Sequence, residues 1–326
     1  MKPHTFSTLS GTTSHYVGRL APSPTGALHI GNIRTFLYAW LEARCQGGTL
    51  RLRIEDLDHP KHKPGATTQL IDDLRWLGFD WDGEVLFQQP RKALYQAAQA
   101  RLAPHLYPCF CTRADIQRAQ SAPHPGEVLR YPGTCRPTSL PLSPETLANQ
   151  LRTHAPQLPA VRFALEPTDD GRFTDAFAGP FQQTAAETVG DFVVARGDEA
   201  AYTLAVVVDD ADMGITHIVR GDDILPATPA QIILYRHLGL PLPTFCHLPL
   251  VVGPDGRRLA KRHGDTRICA YRAAGITPAR ILSAIARACH WISPEENITQ
   301  LHDLIPRFNP KALPKTPLIW SPDRLT

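Results

Sequence analysis

The sequence predicts an α/β protein in which strands of a parallel sheet alternate with helices. Residues 17–34 open with a short apolar run, pass through a loop with prolines and a glycine, and then show apolar residues at helical spacing. Residues 49–55 alternate apolar and charged side chains, as a half-buried strand does. Residues 202–210 form a β-branched run that we expect to be a strand buried on both faces.

The rest of the chain supplies further elements and one segment of different composition. Helices are predicted over residues 67–77, 91–106, 229–238, 276–288 and 297–304, and strands over residues 161–165 and 191–195. Residues 215–220 lead into a turn. The segment after residue 106 is rich in proline and lacks strong periodicity, which indicates an insertion. We therefore expect a divided sheet domain over residues 1–106 and 161–264, an insertion over 107–160, and a short helical C-terminal region over 265–326.

Composition indicates an ordinary globular protein. The chain has 326 residues, enough for two domains or for one large domain with an insertion, and 43% of them are hydrophobic. Its formal charge of +3 permits an RNA partner without requiring one. Residues 1–15 lack the apolar core of a signal peptide and no membrane-length apolar run follows, so we expect a soluble cytoplasmic protein with no membrane contact. Seven cysteines without an export signal argue against a disulfide framework.

The loop before the first predicted helix is a candidate phosphate-binding site. A glycine-bearing loop at a helix N-terminus brings backbone N–H groups and the positive end of the helix dipole to one place. His29 and Asn32 are expected in the first turn, where a ring N–H and an amide N–H can point towards an anion. The plain alternative is a strand-to-helix turn with an incidental histidine.

A cluster of acidic residues ends the strand predicted over residues 49–55. Glu55, Asp56 and Asp58 follow one another closely there. In an open α/β sheet ligands gather at the carboxyl ends of the strands, so one of these carboxylates could bind an ammonium group. A solvated acidic turn is the alternative.

Residues 22–32, with the sequence PSPTGALHIGN, resemble the HIGH signature of class I aminoacyl-tRNA synthetases. The form is that of the branch specific for glutamate and glutamine, in which Asn is common at the fourth motif position, here Asn32. The resemblance covers residues 17–263. It implies a Rossmann-like, doubly wound parallel sheet and a ligase that activates an amino acid with ATP and Mg²⁺. His29, Gly31 and Asn32 are implied at the ATP site, with His29 catalytic.

The same resemblance implies a site for L-glutamate. Glu55 matches the residue that holds the α-amino group, and Arg19 is a candidate for the side-chain carboxylate. An arginine suits a carboxylate because its planar fork can donate two parallel hydrogen bonds. Without the family, a core aromatic and a surface salt bridge are the simpler interpretations of Tyr202 and Arg220. The implied glutamate-binding residues are Arg19, Leu20, Ala21, Pro22, Ser23, Glu55, Tyr202 and Arg220.

A basic loop over residues 257–264 resembles the second signature of the family, the KMSKS loop. The aligned residues are Arg258, Leu259, Ala260, Lys261 and Arg262. Alanine replaces the signature serine, whereas Lys261 keeps the lysine that offsets phosphate charge. The implied reaction is in-line attack of a glutamate carboxylate on ATP, with the new charge offset by groups that include this catalytic lysine. A solvated basic turn is the alternative.

The predicted insertion carries a candidate metal site. Cys109, Cys111 and Cys135 supply three of the four ligands that zinc prefers, and Tyr131 and His124 are possible further ligands. Unpaired thiols are the alternative. The pattern C-x-C followed by Y-x-x-x-C resembles the zinc site of one subgroup of the family, the glutamyl-queuosine tRNA(Asp) synthetases. This resemblance implies one structural zinc on the three cysteines and Tyr131, with His124 as the competing ligand.

Two further features favour the same subgroup. Val206 stands where ordinary glutamyl-tRNA synthetases tend to carry Asn, and about sixty residues follow the basic loop, too few for an all-helical anticodon-binding region. The implied reaction is glutamate activation without tRNA, then transfer of glutamate to queuosine at position 34 in the anticodon loop of tRNA(Asp). The alternatives are a short synthetase that charges the 3′ end of tRNA(Glu) and a non-catalytic paralogue that binds an amino acid or RNA. We expect a monomer.

Overall fold

The first part of the fold is a 3-stranded parallel sheet with its helices. The structure is a computed structural model and describes residues 15–57, 65–119, 130–154, 158–257, 259 and 265–325. The elements here are β1 (Val17–Leu20), α1 (Ile30–Cys45), β2 (Thr49–Ile54), α2 (Ala66–Trp76) and β3 (Leu86–Phe87). β1 pairs with β2 and β2 with β3, all parallel. The strand, loop and helix predicted over residues 17–34 are confirmed.

The middle of the chain builds an antiparallel sheet beside the parallel one. Its elements are α3 (Lys92–Leu102), β4 (Leu106–Cys109), α4 (Arg113–Ala119), α5 (Pro144–Thr153), β5 (Ala160–Phe163), β6 (Phe173–Asp175), β7 (Gly179–Phe181), α6 (Ala185–Thr188), β8 (Phe192–Arg196) and β9 (Glu199–Ala200). The strand order is β4-β5-β8-β9, and β6 and β7 form a separate hairpin. Because β4 pairs with β5, the chain leaves the sheet after Cys109 and returns to it at Ala160 through the neighbouring strand.

The last part of the chain completes the parallel sheet and covers it with helices. Its elements are α7 (Tyr202–Asp212), β10 (His217–Gly221), α8 (Thr228–His237), β11 (Thr244–Leu248), β12 (Val251–Val252), α9 (Ile268–Ala273), α10 (Pro278–Ala288) and β13 (Leu318–Ile319). β10 pairs with β11 and β12 with β13, both in parallel. Thr216 N donates to Val17 O at 2.9 Å, which sets β10 beside β1. The spatial order is therefore β3-β2-β1-β10-β11.

Hydrophobic cores lie on both faces of this sheet. Val219 and Cys246 enter the cluster formed with α1 and α10, whereas their neighbours Ile218 and Phe245 enter the cluster formed with α3, α7 and α8. Successive side chains of a strand point to opposite faces, so helices cover the sheet on both sides. This is the layered α/β arrangement that the sequence predicts.

The strand predicted over residues 202–210 is wrong, because this run forms helix α7. Every residue from Leu204 to Asp210 is buried. In a segment that is buried on every side, the pattern of apolar residues does not distinguish a helix from a strand. The β-branched valines favoured the strand, but packing against α3 and α8 outweighs that propensity.

Two predicted helices also differ from the structure. The helix predicted over residues 91–106 ends at Leu102, since Pro104 interrupts it before β4 begins. Residues predicted as a helix over 297–304 instead form a 3₁₀ segment, Leu301–Arg307, which contains Pro306. The remaining predicted helices and strands each match an element within a few residues.

Two observations bear on the environment of the protein. Within the described ranges, every helix is too short or too polar to span a lipid bilayer. All seven cysteines are described, and each is a free thiol. The absence of a disulfide framework agrees with the prediction.

Candidate active site

A cleft of about 600 Å³ opens at the carboxyl ends of β1 and β10. The chain leaves β1 towards β2 on one side and β10 towards β11 on the other, and such a reversal of direction is where open α/β sheets bind ligands. Most of the predicted site residues line this one cleft: Arg19, Ala21, Pro22, Ser23, His29, Gly31, Asn32, Glu55, Tyr202 and Arg220.

Two predicted residues do not contribute a described side chain to the cleft. Leu20 is fully buried in the core on the α1 side of the sheet. Lys261 lies outside the described residues, as do Arg258, Ala260 and Arg262 of the same loop. Leu259 is described and lies on the cleft wall.

His29 is the N-cap of α1 rather than a residue of its first turn. Its Nδ1 accepts a hydrogen bond from Gly31 N at 3.1 Å, and its own N–H donates to Asn32 Oδ1 at 3.1 Å. These reciprocal bonds form a capping box. Because Nδ1 is an acceptor here, the neutral ring carries its proton on Nε2. The helix start therefore combines a ring N–H with the positive end of the helix dipole at the cleft wall.

Gly31 is required by the close approach of the His29 ring. A Cβ at this position would lie 2.9 Å from His29 Cε1 and 3.0 Å from Nδ1. Real Cβ atoms essentially never show contacts under 3.0 Å, so an added Cβ would force the ring to move. The glycine of the motif therefore lets the histidine fold back over the helix start.

A buried ionic network supports the predicted amino-group site. Arg53 is fully buried and donates to Glu55 Oε1 at 3.1 Å and to Asp210 Oδ1 at 2.6 Å. The same Asp210 oxygen lies 3.4 Å from Arg19 Nε, and Arg19 Nη1 donates to Val219 O at 3.0 Å. Burial raises the pKa of Glu55, although Arg53 opposes this shift. The network thus links the carboxylate and one arginine of the cleft.

The neighbouring Asp209 anchors helix α7 to the other side of the network. Its carboxylate accepts from Gln88 Nε2 at 2.7 Å, Arg91 Nε at 2.7 Å and the Tyr95 hydroxyl at 3.0 Å. The two consecutive aspartates therefore have different roles. Asp209 fixes helix α7 to the loop before α3, whereas Asp210 contacts Arg19 and Arg53.

Arg220 is held by a second set of buried groups. Its Nε donates to His247 Nε2 at 2.8 Å, and its Nη2 donates to Thr228 Oγ1 at 2.9 Å. His247 Nδ1 in turn lies 2.6 Å from Asp175 Oδ2. Arg220 is 6% exposed and lines the cleft, so it is not the surface salt bridge that was the simpler interpretation.

Tyr202 stands at the start of α7 with its side chain at the cleft. It is 43% exposed and is therefore not a core aromatic. Val206, one turn later on the same helix, is buried. The aromatic ring thus borders the cleft, whereas Val206 is buried and does not line it.

Arg34 is a cleft residue that the sequence analysis missed. It is only 2% exposed, and its Nη2 donates to Pro249 O. Pro249 directly precedes Leu250 and Val251, which also line the cleft. Burial lowers the pKa of Arg34. Its position one turn after the motif glycine on the same helix was the only signal that could have revealed it.

Cys109, Cys111 and Cys135 form the second candidate site. Their sulfur atoms all lie within 4.8 Å of one another, and those of Cys111 and Cys135 are 3.5 Å apart. Tetrahedral zinc with Zn–S bonds of about 2.3 Å needs sulfurs roughly 3.8 Å apart, so the cluster fits a metal ion. Burial opposes ionisation of Cys109, but hydrogen bonds with Tyr131 and Arg162 outweigh it and lower the pKa of that thiol.

Tyr131 reaches the same cluster. Its hydroxyl lies 3.4 Å from Cys109 Sγ and accepts a hydrogen bond from Cys135 N at 2.7 Å. The Arg162 guanidinium lies 3.6 Å from the centre of the tyrosine ring. The backbone donor favours negative charge on the phenol oxygen, but burial and the hydrogen bond with Cys109 outweigh it and raise the pKa of Tyr131. The competing ligand His124 lies outside the described residues.

Comparison with known families identifies the class of protein. Residues 16–326 match the model of the class I tRNA synthetases of the E and Q group, catalytic domain. The chain belongs to this family and is a ligase. A glutamate tRNA ligase from Elizabethkingia meningosepticum, solved with its amino acid, has the same fold with a TM-score of 0.79 and 25% identity. The match covers 96% of this chain and 68% of that one.

Within the family, this chain is similar to proteins named glutamyl-Q tRNA(Asp) synthetase. The protein of that name from Symbiobacterium thermophilum is 46% identical over 314 residues, which cover 92% of this chain and 94% of the relative. Its counterpart from Rhodopirellula baltica is 43% identical and covers 94% and 97%. The glutamate–tRNA ligase of Aquifex aeolicus is 39% identical and covers 94% of this chain but 64% of the relative.

Proposed function

We propose that this protein activates L-glutamate with ATP and then transfers the glutamyl group to queuosine at position 34 of tRNA(Asp). The observation that carries the first half is the charge pattern of the cleft. The charged residues on the cleft wall are Glu55, Asp223 and the buried arginines Arg19, Arg34 and Arg220. Of these, Glu55, Arg19 and Arg220 lie around Tyr202. Free glutamate carries one ammonium group and two carboxylates, so its charges complement these three side chains.

The amino group of glutamate would bind Glu55. Burial disfavours the ionised form of this carboxyl, and the hydrogen bond from Arg53 opposes that effect by stabilising the carboxylate. An ammonium ion at hydrogen-bond distance adds a further favourable charge. Arg19 is a candidate for the side-chain carboxylate and Arg220 for a second carboxylate contact, with Tyr202 closing the cleft.

The ATP half of the site is the start of α1. The glutamate α-carboxylate oxygen attacks the α-phosphorus, a new P–O bond forms, and the bond to the departing pyrophosphate breaks. Negative charge that grows on the phosphoryl oxygens meets the His29 Nε2–H, the Asn32 amide and the helix N-terminus. Lys261 is the catalytic cation from the basic loop, and Mg²⁺ accompanies the nucleotide. The remaining task of the chain is positioning, which needs no protein nucleophile.

Transfer to queuosine rests on three supports. Relatives that match over more than nine-tenths of both chains carry the name glutamyl-Q tRNA(Asp) synthetase. Val206 is apolar and buried where the ordinary glutamyl enzymes tend to be polar. The Tyr131 hydroxyl lies beside the cysteine cluster, as the subgroup pattern requires. Stacking and phosphate contacts would bind the anticodon loop.

One structural zinc completes the proposal. Cys109, Cys111 and Cys135 would bind it as thiolates, with the Tyr131 oxygen as the fourth ligand. The ion would join the turn that follows β4 to the segment that begins at residue 130. It would therefore stabilise the insertion and take no part in the chemistry at the cleft.

The decisive experiment follows labelled glutamate. The protein is incubated with radiolabelled glutamate, ATP and three acceptors: tRNA(Asp) with queuosine, tRNA(Asp) without it, and tRNA(Glu). We expect label only on the first acceptor and, after nuclease cleavage, on its anticodon fragment. Label at the 3′ end of tRNA(Glu) would instead identify an ordinary glutamyl-tRNA synthetase. Without tRNA, glutamate should promote exchange of pyrophosphate into ATP, and its failure to do so would favour a non-catalytic binding protein.

A further inference from the structure

We infer that His247, Asp175 and Thr228 are positioning residues that fix the plane of the Arg220 guanidinium and thereby set the affinity for glutamate. This inference rests on the proposed function, in which Arg220 contacts a carboxylate of the substrate. None of the three positioning residues was indicated by a sequence motif. Each lies behind the cleft, not on its wall.

The register of the sheet brings Arg220 and His247 together. They are direct partners in the parallel pairing of β10 with β11. Their side chains meet on the face that also carries Phe245, and the Arg220 guanidinium lies 5.3 Å from the centre of that ring. A shift of one residue in this pairing would turn the histidine to the opposite face. The contact is therefore a property of the assembled sheet.

Asp175 fixes the proton of the His247 ring. It ends β6, and its carboxylate accepts from the backbone N–H of Phe177 at 3.0 Å and of Ala178 at 2.8 Å. Burial opposes ionisation of Asp175, but the bond with His247 and these backbone donors outweigh it and lower the pKa of the carboxyl. A carboxylate at Nδ1 places the imidazole proton there, which leaves Nε2 as an acceptor. The histidine is thus prepared to receive the Arg220 Nε–H.

Two acceptors on one rigid guanidinium determine where its third nitrogen points. His247 holds Nε and Thr228 holds Nη2. Arg220 Nη1 has no protein partner among the described residues, and the side chain borders the cleft. Because the guanidinium is planar, fixing two nitrogens fixes the direction of the remaining N–H groups. A carboxylate in the cleft then meets donors that are already oriented, which lowers the entropy cost of binding.

His247 acts through Arg220 and not on the substrate. Its side chain is fully buried. Burial lowers the pKa of His247 and outweighs the opposing hydrogen bond with Asp175, and the adjacent arginine adds to the lowering, which favours the neutral ring. A neutral ring is what the arginine needs as an acceptor.

The test compares two substitutions of His247 that remove similar amounts of the ring. Asn can still donate to Asp175 from the position of Nδ1 but does not reach Arg220, whereas Gln places an oxygen near the position of Nε2. We expect His247→Asn to raise the KM for glutamate in ATP–pyrophosphate exchange by up to about 100-fold. His247→Gln should recover most of that loss. The KM for ATP should stay near the wild-type value in both.

A matched control comes from a second histidine–aspartate pair. His237 Nε2 lies 2.9 Å from Asp169 Oδ1, away from the cleft. His237→Asn should leave the KM for glutamate unchanged. If His247→Asn does not fold, as judged by thermal unfolding, Thr228→Val tests the other acceptor of the guanidinium. It should also raise the KM for glutamate and spare that for ATP.

Several results would overturn the inference. They are a wild-type KM for glutamate in His247→Asn, equal defects in the Asn and Gln variants, and an unchanged KM in Thr228→Val. The exchange activity of the wild-type protein with glutamate distinguishes a failure of the proposed function from a failure of this inference alone. Absence of exchange in the wild type would refute the proposed function and the inference together. Normal exchange in both wild type and His247→Asn would refute the inference alone.

Discussion

Replacing Gly31 by Ala should separate the stability of the helix start from its activity. The added Cβ would lie 2.9 Å from His29 Cε1, so the imidazole must rotate away from the helix N-terminus. This movement breaks the bond from Gly31 N to His29 Nδ1. It also turns the Nε2–H away from the place where we propose that phosphate charge develops.

The expected magnitude combines two opposing terms. Loss of an N-cap side-chain bond costs about 0.5–2 kcal/mol. Replacing glycine by alanine in a helix stabilises it by up to about 1 kcal/mol. Gly31→Ala should therefore change the free energy of unfolding by little, with the two terms nearly cancelling. Activity should fall by about 100-fold, as expected when a catalytic group is misplaced.

A double-mutant cycle with His29→Ala isolates the contact. In the His29→Ala background no ring remains to clash, so Gly31→Ala should stabilise the protein by up to about 1 kcal/mol. The two substitutions should thus show an interaction energy of about 0.5–2 kcal/mol. Chemical denaturation measures the stability of all four proteins, and glutamate-dependent ATP–pyrophosphate exchange measures their activity.

Absence of coupling in this cycle would contradict the proposed contact between the His29 ring and Gly31. Gly31→Ala would then stabilise the protein equally in the wild-type and His29→Ala backgrounds, which would mean that the His29 ring does not contact the added Cβ. Full exchange activity in Gly31→Ala would refute the second half of the reasoning, since the histidine could then move without consequence.

Three further predictions concern other parts of the molecule. Arg53→Met should destabilise the protein by about 3–5 kcal/mol in urea denaturation because it leaves buried carboxylates unpaired. Arg51 lies on the same strand but is half-buried, so Arg51→Met should cost far less. Equal losses of stability in the two variants would contradict this account. Tyr131→Phe should weaken zinc binding in a chelator competition assay, and unchanged zinc affinity and stability would remove the tyrosine from the ligand set. Because the pKa of His247 is lowered in the folded protein from its usual 6.5, the unfolded chain binds more protons, and stability should fall as the pH drops through about 6.5. His247→Gln should weaken this dependence of the free energy of unfolding on pH, measured by urea denaturation between about pH 7.5 and 5.5. An unaltered pH dependence would mean that other groups cause it.

Local patterns predicted most of the elements. The run that starts at β1 and enters α1 has a clear change of period, a loop with proline and glycine, and an N-terminal signature, so its fold follows from short-range rules. Helix α7 is the main failure. Residues 204–210 of this helix are all buried, and only the neighbouring helices decide whether such a segment is a helix or a strand.

The candidate site divides in the same way. His29, Gly31, Asn32 and Glu55 belong to contiguous motifs, and the sequence indicated them without any knowledge of the sheet. Arg34 is missing from that set because its contact is with a carbonyl 215 positions away. No pattern within one segment carries information about such a partner.

The sequence by itself determined the class of fold, the family, the residues at the helix start and the composition of the cysteine cluster. Each of these depends on neighbours within a few positions or on a recognisable run of letters. Only the tertiary structure decided that Asp175 and His247, which are 72 positions apart, support Arg220, and that one aspartate serves both Arg19 and Arg53. The physical reason is that strand order and register bring these groups together, and burial then makes each hydrogen bond between them necessary.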